Sequence, residues 1–139
     1  MYRLEISDTF SAAHAIVIAG QREPLHGHDW HVTVTIEGEH LDADGLLVDF
    51  HAVSDALERI IGPFHNRSLN EGKPFDQTVS LTGGPKGENP TTELVALHIA
   101  RSLIEAGPSI GLDTARGVHV SSVRVTEAVG CAATYFPRA

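Results

Sequence analysis

Cysteine, basic residues and long apolar runs are all scarce in this sequence of 139 residues. The single cysteine, Cys131, excludes an intramolecular disulfide and favours a reducing compartment, so we expect a cytoplasmic protein. Ten Lys and Arg against 18 Asp and Glu give a formal charge of -8, which argues against both nucleic-acid and membrane-surface binding. No stretch approaches the roughly 20 apolar residues of a membrane span, and the opening MYRLEISDTF lacks the pattern of a secretory leader.

Histidine, by contrast, is abundant, with nine residues in an otherwise ordinary globular composition. The length is that of one domain, which we expect to cover residues 1–139. Histidine is the commonest side chain for metal binding and for proton transfer near neutral pH. The positions of the histidines therefore matter most for function.

Two predicted strands carry histidines on their apolar faces. Over residues 2–14, apolar residues of one parity share a face with His14, and polar residues occupy the other face. Over residues 26–39, His26 and His28 share a face with Trp30 and the valines that follow. The three histidines are therefore predicted to project towards the same side of the sheet.

Helical spacing predicts two helices, and two further strands follow them. Asp49 is the expected N-cap of the first helix, which ends at Gly62-Pro63. The second helix is predicted to begin at Asn89, with proline in its first position, and to bury a stripe of Leu94, Leu97, Ala100, Leu103 and Ile104. Strands over about 118–127 and 131–136 complete an α+β order of ββααββ, with Cys131 expected to be buried.

The pair His26-Gly-His28 has the spacing of two ligands on one face of a strand. With His14 on a neighbouring strand, three imidazoles could bind one zinc ion and leave a fourth position open, as in catalytic zinc sites. The alternative is three unrelated histidines. We favour the metal site because unliganded imidazoles on an apolar face would need other hydrogen-bond partners.

Motifs along nearly the whole chain resemble those of the 6-pyruvoyl-tetrahydropterin synthase family, which includes bacterial 6-carboxy-tetrahydropterin synthases. The resemblance is carried, in this order, by FSAAH ending at His14, LHGHDW around His26 and His28, GLLVDF ending at Phe50, NPTTE ending at Glu93, and VTE ending at Glu127. It implies the tunnelling fold, or T-fold, in which the antiparallel sheets of several subunits, each with two helices on one face, join into a barrel. A homohexamer built as a dimer of trimers is the usual assembly, with active sites between subunits.

The resemblance also implies site residues and a substrate class. His14, His26 and His28 would bind Zn²⁺, and Glu127 would anchor a reduced pterin by accepting two N–H bonds. Thr91 and Thr92 would help to hold the pterin ring. Simple helix capping is the alternative role for the two threonines, and the two roles are compatible.

This sequence departs from the family in its catalytic residues. The cysteine expected shortly before His26 is absent, and the usual Asp-His pair is replaced by His65-Asn66. Glu23 is a candidate general base, because family members with a glutamate here cleave the substrate side chain to give 6-hydroxymethyl-dihydropterin. An exposed loop carboxylate is an equally good interpretation of Glu23, and His65 is a second candidate acid or base.

A longer loop is the remaining departure from the family. The segment 71–88 is longer than in typical bacterial members. Arg22, Arg67, Lys73 and Lys86 flank the site in sequence, as local cations for a triphosphate or as ordinary solvated charges.

The sequence therefore predicts a zinc-dependent lyase. Its substrate would be 7,8-dihydroneopterin triphosphate or a related reduced pterin, and its product 6-carboxy- or 6-pyruvoyl-tetrahydropterin or 6-hydroxymethyl-dihydropterin, in queuosine or folate biosynthesis. The alternative is a homologue that binds zinc and pterin but has lost the reaction. A third possibility is an unrelated zinc hydrolase that uses the same three histidines.

Overall fold

Two long antiparallel strands form the centre of the structure, a computed structural model that describes residues 1–76 and 88–138. Strand β1 (Tyr2–His14) leads into a short hairpin of β2 (Val17–Ile18) and β3 (Gln21–Arg22), and the chain returns as β4 (His26–Gly38). Strands β1 and β4 pair along their whole length, with His14 opposite His26 and Ala12 opposite His28. Because this pairing is in register, all three histidines lie at the same end of the sheet.

The remaining elements complete a five-stranded sheet with two helices on one face. They are α1 (Phe50–Ile61), β5 (Arg67–Ser68), α2 (Thr92–Glu105), β6 (His119–Ala128) and β7 (Cys131–Tyr135). The strand order is β5-β1-β4-β6-β7, in which β5 runs parallel to β1 and the other neighbours are antiparallel. The predicted α+β class and the ββααββ order of the long elements are confirmed. The two-residue strands were not predicted, because they are too short to show a period.

The hydrophobic core lies between the inward face of the sheet and both helices. Trp30, Val32 and Val34 are fully buried and pack in one cluster with apolar residues of α1 and α2. Asp49 caps α1 as predicted, since its carboxylate accepts the His51 N–H at 2.8 Å. Within the described ranges, no helix has the length and apolar content needed to cross a bilayer.

Two local predictions were wrong, and a third was wrong in part. Helix α2 begins at Thr92 with Thr91 as its N-cap, not at Asn89, because the Asn89 side chain is hydrogen-bonded to the backbone of Val17 instead. In its buried stripe, Ala100 and Leu103 are buried as predicted, but Ile104 is 46% exposed and Leu94 and Leu97 are only partly buried. The other buried residues of α2 are Thr92, Val95, Ala96 and Ile99. Cys131 is exposed, because it lies on the edge strand β7.

Candidate metal centre and active site

The structure brings His14, His26 and His28 together at the end of the β1–β4 pair. One ligand atom from each residue lies within 4.8 Å of the other two. The Nε2 atoms of His14 and His26 are 3.1 Å apart, and the three ring centroids are separated by 4.7–5.1 Å. Two nitrogens bound to one tetrahedral zinc lie about 3.3 Å apart, so this spacing fits a shared ion.

The hydrogen bonds of the other ring nitrogens fix which atoms are free to bind a metal. His14 Nδ1 lies 2.8 Å from the carbonyl oxygen of Pro90, and His26 Nδ1 lies 2.9 Å from that of Pro24. A carbonyl only accepts, so each Nδ1 carries a proton and each neutral ring has its lone pair on Nε2. Such outer-shell contacts are typical of metal-binding histidines.

In this arrangement the Nε2 atoms of His14 and His26 cannot hydrogen-bond to each other, because neither carries a proton. Two neutral rings with lone pairs 3.1 Å apart repel each other unless a cation lies between them. The Nε2 atom of His28 is buried and has no hydrogen-bond partner among the described residues. A buried nitrogen without a hydrogen-bond partner destabilises the folded protein. The three histidine nitrogens therefore fit a bound metal ion better than they fit a cluster without one.

Burial supports the neutral form of His14. His14 is 2% exposed, and burial lowers its pKa below the ordinary value of 6.5, although the Pro90 carbonyl and Glu127 act in the opposite direction. The ring of Trp30 contacts those of His14 and His28 edge-on, with centroids 4.9 and 5.7 Å apart. Only neutral imidazole has a lone pair for a metal, so this environment favours ligation.

Glu127 lies beside His14 and His28, at the position where the pairing of β6 with β7 contains a bulge. Thr126 pairs with Ala132 and Ala128 pairs with Cys131, so Glu127 is the extra residue between them. A bulge redirects the side chain of the extra residue, and bulges are common beside active sites. The Glu127 carboxylate lies 3.8 Å from the Nε2 atoms of both His14 and His28.

A threonine at the start of α2 holds this carboxylate. The Thr92 hydroxyl donates to Glu127 Oε2 at 2.6 Å, and Thr92 itself is buried. Thr91 performs the capping role, since its hydroxyl accepts the Leu94 N–H at 3.1 Å. The two adjacent threonines therefore have different roles: Thr91 caps the helix and Thr92 orients Glu127.

Glu23 is also a positioned side chain. Its Oε1 accepts the Ile16 N–H at 3.2 Å and lies 3.7 Å from His26 Nδ1. The Glu23 side chain is only 29% exposed. The structure thus places Glu23 against one of the three histidines and not in open solvent.

His65 lies apart from this cluster. It is exposed, and its Nδ1 accepts the Ser11 N–H at 3.1 Å, three residues before His14 on β1. Among the described residues, no hydrogen bond or ring contact joins His65 to the three histidines.

The predicted cations are divided between two cavities and the surface. A cavity of about 660 Å³ is bordered by His28 and Arg67, and a smaller one of about 240 Å³ is bordered by Arg22. Glu71 lines both cavities, so an acidic group accompanies both arginines. Lys73 is exposed, whereas Lys86 and most of the 71–88 segment lie outside the described residues.

Sequence reasoning missed two asparagines near the site. The side chains of Asn70 and Asn89 bind the backbone of the residues that follow His14. Asn89 was interpreted as a helix cap, and Asn70 lies in an irregular segment with no periodic signal. The only signal in the sequence was that the two asparagines lie on either side of the 71–88 segment. That position does not predict which residues their side chains bind.

Solved structures with this fold define the class of the protein. The synthase of Caenorhabditis elegans, described as 6-pyruvoyl tetrahydropterin synthase, superposes with a TM-score of 0.74 at 19% identity and covers 99% of this chain and 96% of that chain. The 6-pyruvoyl tetrahydropterin synthase of Plasmodium vivax gives a TM-score of 0.71 at 20% identity, with complete coverage of both chains. The chain therefore belongs to the T-fold class of proteins.

Sequence comparison identifies the family. The family model described as 6-pyruvoyl tetrahydropterin synthase matches residues 3–138, so the chain belongs to that family. A relative in Archaeoglobus fulgidus named putative 6-carboxy-5,6,7,8-tetrahydropterin synthase is 30% identical over 122 residues, covering 88% of this chain and 84% of the relative. A relative in Pyrococcus furiosus named dihydroneopterin monophosphate aldolase is 33% identical over 95 residues and covers 68% of each chain.

Proposed function

We propose that this protein is a zinc-dependent lyase acting on 7,8-dihydroneopterin triphosphate or a closely related reduced pterin. The observation that carries the proposal is the convergence of three histidine side chains beside a carboxylate that is itself held by a buried threonine. The substrate class is inferred from the family, since the relatives described above are named for reactions on pterins.

His14, His26 and His28 would hold the metal through their Nε2 atoms. The Pro90 and Pro24 carbonyls keep two of these rings in the required tautomer. A bound zinc ion would supply Lewis acidity to an oxygen of the substrate side chain. With three protein ligands, a coordination position remains for the substrate.

Glu127 would anchor the pterin ring. A carboxylate accepts two parallel N–H bonds, which matches the 2-amino group and the adjacent ring nitrogen of a pterin. The Thr92 hydroxyl fixes the orientation of the carboxylate before the ligand arrives. Thr91 contributes by fixing the first turn of α2.

Glu23 would be the general base in place of the family cysteine. One oxygen accepts the Ile16 N–H, and a carboxylate has about four acceptor positions in total, so capacity remains for a substrate proton. Two solved structures of the Plasmodium vivax synthase carry alanine or cysteine in place of a glutamate that is described as a catalytic residue. This precedent and the Pyrococcus aldolase favour cleavage of the side chain to 6-hydroxymethyl-dihydropterin.

The alternative is a protein that binds zinc and pterin without turnover. It is favoured by the position of His65, which faces the backbone of Ser11 and is not joined to the three histidines. In that case Glu23 would only close its loop, through the bond to Ile16.

The assembly and the compartment belong to the same proposal. The sheet ends in short edge strands, β5 of two residues and β7 of five. Open edges of this kind can pair with a neighbouring subunit. We expect a homohexamer in the cytoplasm, with Arg22 and Arg67 near the substrate phosphates.

The test is a product assay with metal analysis. Purified protein of known zinc content is mixed with 7,8-dihydroneopterin triphosphate, and the pterins are separated by chromatography. We expect 6-hydroxymethyl-dihydropterin, and we expect chelation to abolish its formation. A 6-carboxy- or 6-pyruvoyl product would support a lyase but contradict cleavage to 6-hydroxymethyl-dihydropterin. Bound pterin without any product would support the alternative.

A further inference from the structure

The three residues after His14 have an unusual set of backbone partners. In Ala15, Ile16 and Val17, every N–H and every C=O is hydrogen-bonded, and five of the six bonds involve the side chain of a distant residue. This segment joins the end of β1 to the short β2–β3 hairpin. It therefore connects His14 to the loop that carries Glu23.

Asn70 binds the first residue of the segment, Ala15, with both the oxygen and the nitrogen of its side-chain amide. Its Oδ1 accepts the Ala15 N–H at 2.8 Å, and its Nδ2 donates to the Ala15 carbonyl at 2.8 Å. Ala15 is fully buried, so water cannot replace these bonds. A carboxamide has one acceptor and one donor side by side, and it therefore imitates a neighbouring strand.

Asn89 binds the third residue of the segment in the same way. Its Oδ1 accepts the Val17 N–H and its Nδ2 donates to the Val17 carbonyl, both at 3.0 Å. The next residue, Pro90, offers the carbonyl that accepts the proton of His14 Nδ1. Asn89 thus fixes both the segment and the backbone that orients a proposed metal ligand.

The middle residue of the segment holds Glu23. The Ile16 N–H donates to Glu23 Oε1 at 3.2 Å, and the Ile16 carbonyl accepts the Glu23 N–H at 3.0 Å. Because Ala15 and Val17 are fixed on either side, Ile16 presents a rigid donor to the Glu23 carboxylate. The position of the proposed base therefore depends on the two asparagines, although neither contacts it.

We propose that Asn70 and Asn89 are positioning residues, which clamp residues 15–17 and thereby hold His14 and Glu23 in the relative placement that the site needs. This inference rests on the proposed function, since it concerns the geometry of the same metal centre and base. Loss of either asparagine frees two backbone groups and loosens the link between the ligand and the base.

The test compares Asn70→Ala and Asn89→Ala with the wild-type protein and with a matched control. Asp42→Ala is the control, because the Asp42 carboxylate also binds two backbone N–H groups, those of Asp44 and Leu46, in the loop between β4 and α1. Zinc affinity is measured by competition with a chromophoric chelator, and ligand geometry is measured by the visible spectrum of the cobalt-substituted protein. Amide hydrogen exchange reports on residues 15–17.

We expect each asparagine variant to lose zinc affinity by about tenfold or more, as for other outer-shell residues. The cobalt spectrum should change, and exchange over residues 15–17 should become faster. Asp42→Ala should keep the wild-type affinity and spectrum at a comparable loss of melting temperature. If an alanine variant does not fold, Asn70→Asp or Asn89→Asp replaces it, because aspartate keeps the shape and the acceptor but removes the donor.

Other results would overturn the inference. Wild-type zinc affinity and a wild-type cobalt spectrum in both asparagine variants would show that the clamp does not position the site. An equal loss of affinity in Asp42→Ala would show a general effect of instability. A wild-type protein that binds no zinc would instead remove the metal centre of the proposed function, and the inference would fall with it.

Discussion

The hydrogen bond from Thr92 to Glu127 gives the most specific prediction about substrate binding. The donor and acceptor are 2.6 Å apart, and Thr92 is 8% exposed. Thr92→Val has nearly the same shape but puts a methyl group where the hydroxyl was. A methyl carbon needs a separation of about 3.5 Å from its neighbour, so the carboxylate must also move away by roughly 1 Å.

The expected cost follows from the strength of this bond. Hydrogen bonds to charged groups contribute about 1.5–3 kcal/mol. The Glu127 side chain is still 25% exposed, so water can replace part of the bond, and we take the lower half of that range. Since 1.4 kcal/mol is a factor of ten, pterin affinity should fall by about 10- to 40-fold.

The assay is a titration of each variant with a reduced pterin, followed by fluorescence or calorimetry, with zinc content measured on the same samples. Thr92→Ser is the matched control, because it keeps the hydroxyl and should bind pterin nearly as well as the wild type. Unchanged pterin affinity in Thr92→Val, with the wild-type zinc content, would refute the role of Glu127 as a ring anchor that Thr92 orients.

Three further predictions concern the base, the metal and the response to pH. Glu23→Gln should keep zinc and pterin binding but lower turnover by about 10²-fold or more, and unchanged turnover in a product assay would exclude Glu23 as the base. His28→Ala should lose zinc affinity by more than about 100-fold, measured by chelator competition, and zinc retained at one ion per chain would contradict the site. His98 is half-buried between Phe64 and Phe75, and burial lowers its pKa below 6.5 in the folded protein. The unfolded chain therefore takes up this proton first, and stability falls as the pH drops below about 6.5. Between pH 7.5 and 5.5, the free energy of unfolding of the metal-free protein should fall less in His98→Gln than in the wild type, as measured by denaturant unfolding. An equal fall in both proteins would show that His98 is not the cause.

The sequence was sufficient to predict the convergence of the three histidines. Period-two alternation placed His14, His26 and His28 on apolar faces, and antiparallel pairing of two long strands brought those faces to one end of the sheet. Glu127 shares its parity with Val123 and Val125, and this alternation indicates that its side chain faces inward. The hydrogen bond from Thr92 that orients the carboxylate is a tertiary feature without a periodic signal.

The errors have physical causes of the same kind. Asn89, Thr91 and Thr92 can all cap a helix, and only the contact of Asn89 with Val17 decides that Thr91 does so. Burial on an edge strand depends on what lies beyond it, so the size and polarity of Cys131 could not predict its exposure. The partners of Asn70 are likewise set by how an irregular segment folds back on β1.

The central claim is that turnover of a reduced pterin requires one zinc ion on the three histidines. The most direct measurement is a zinc titration of metal-stripped protein, in which formation of product from 7,8-dihydroneopterin triphosphate is followed at each step. We predict no product at the start and a linear rise that saturates at one zinc per chain. Full turnover without zinc, or zinc bound at one per chain with no turnover, would contradict the account.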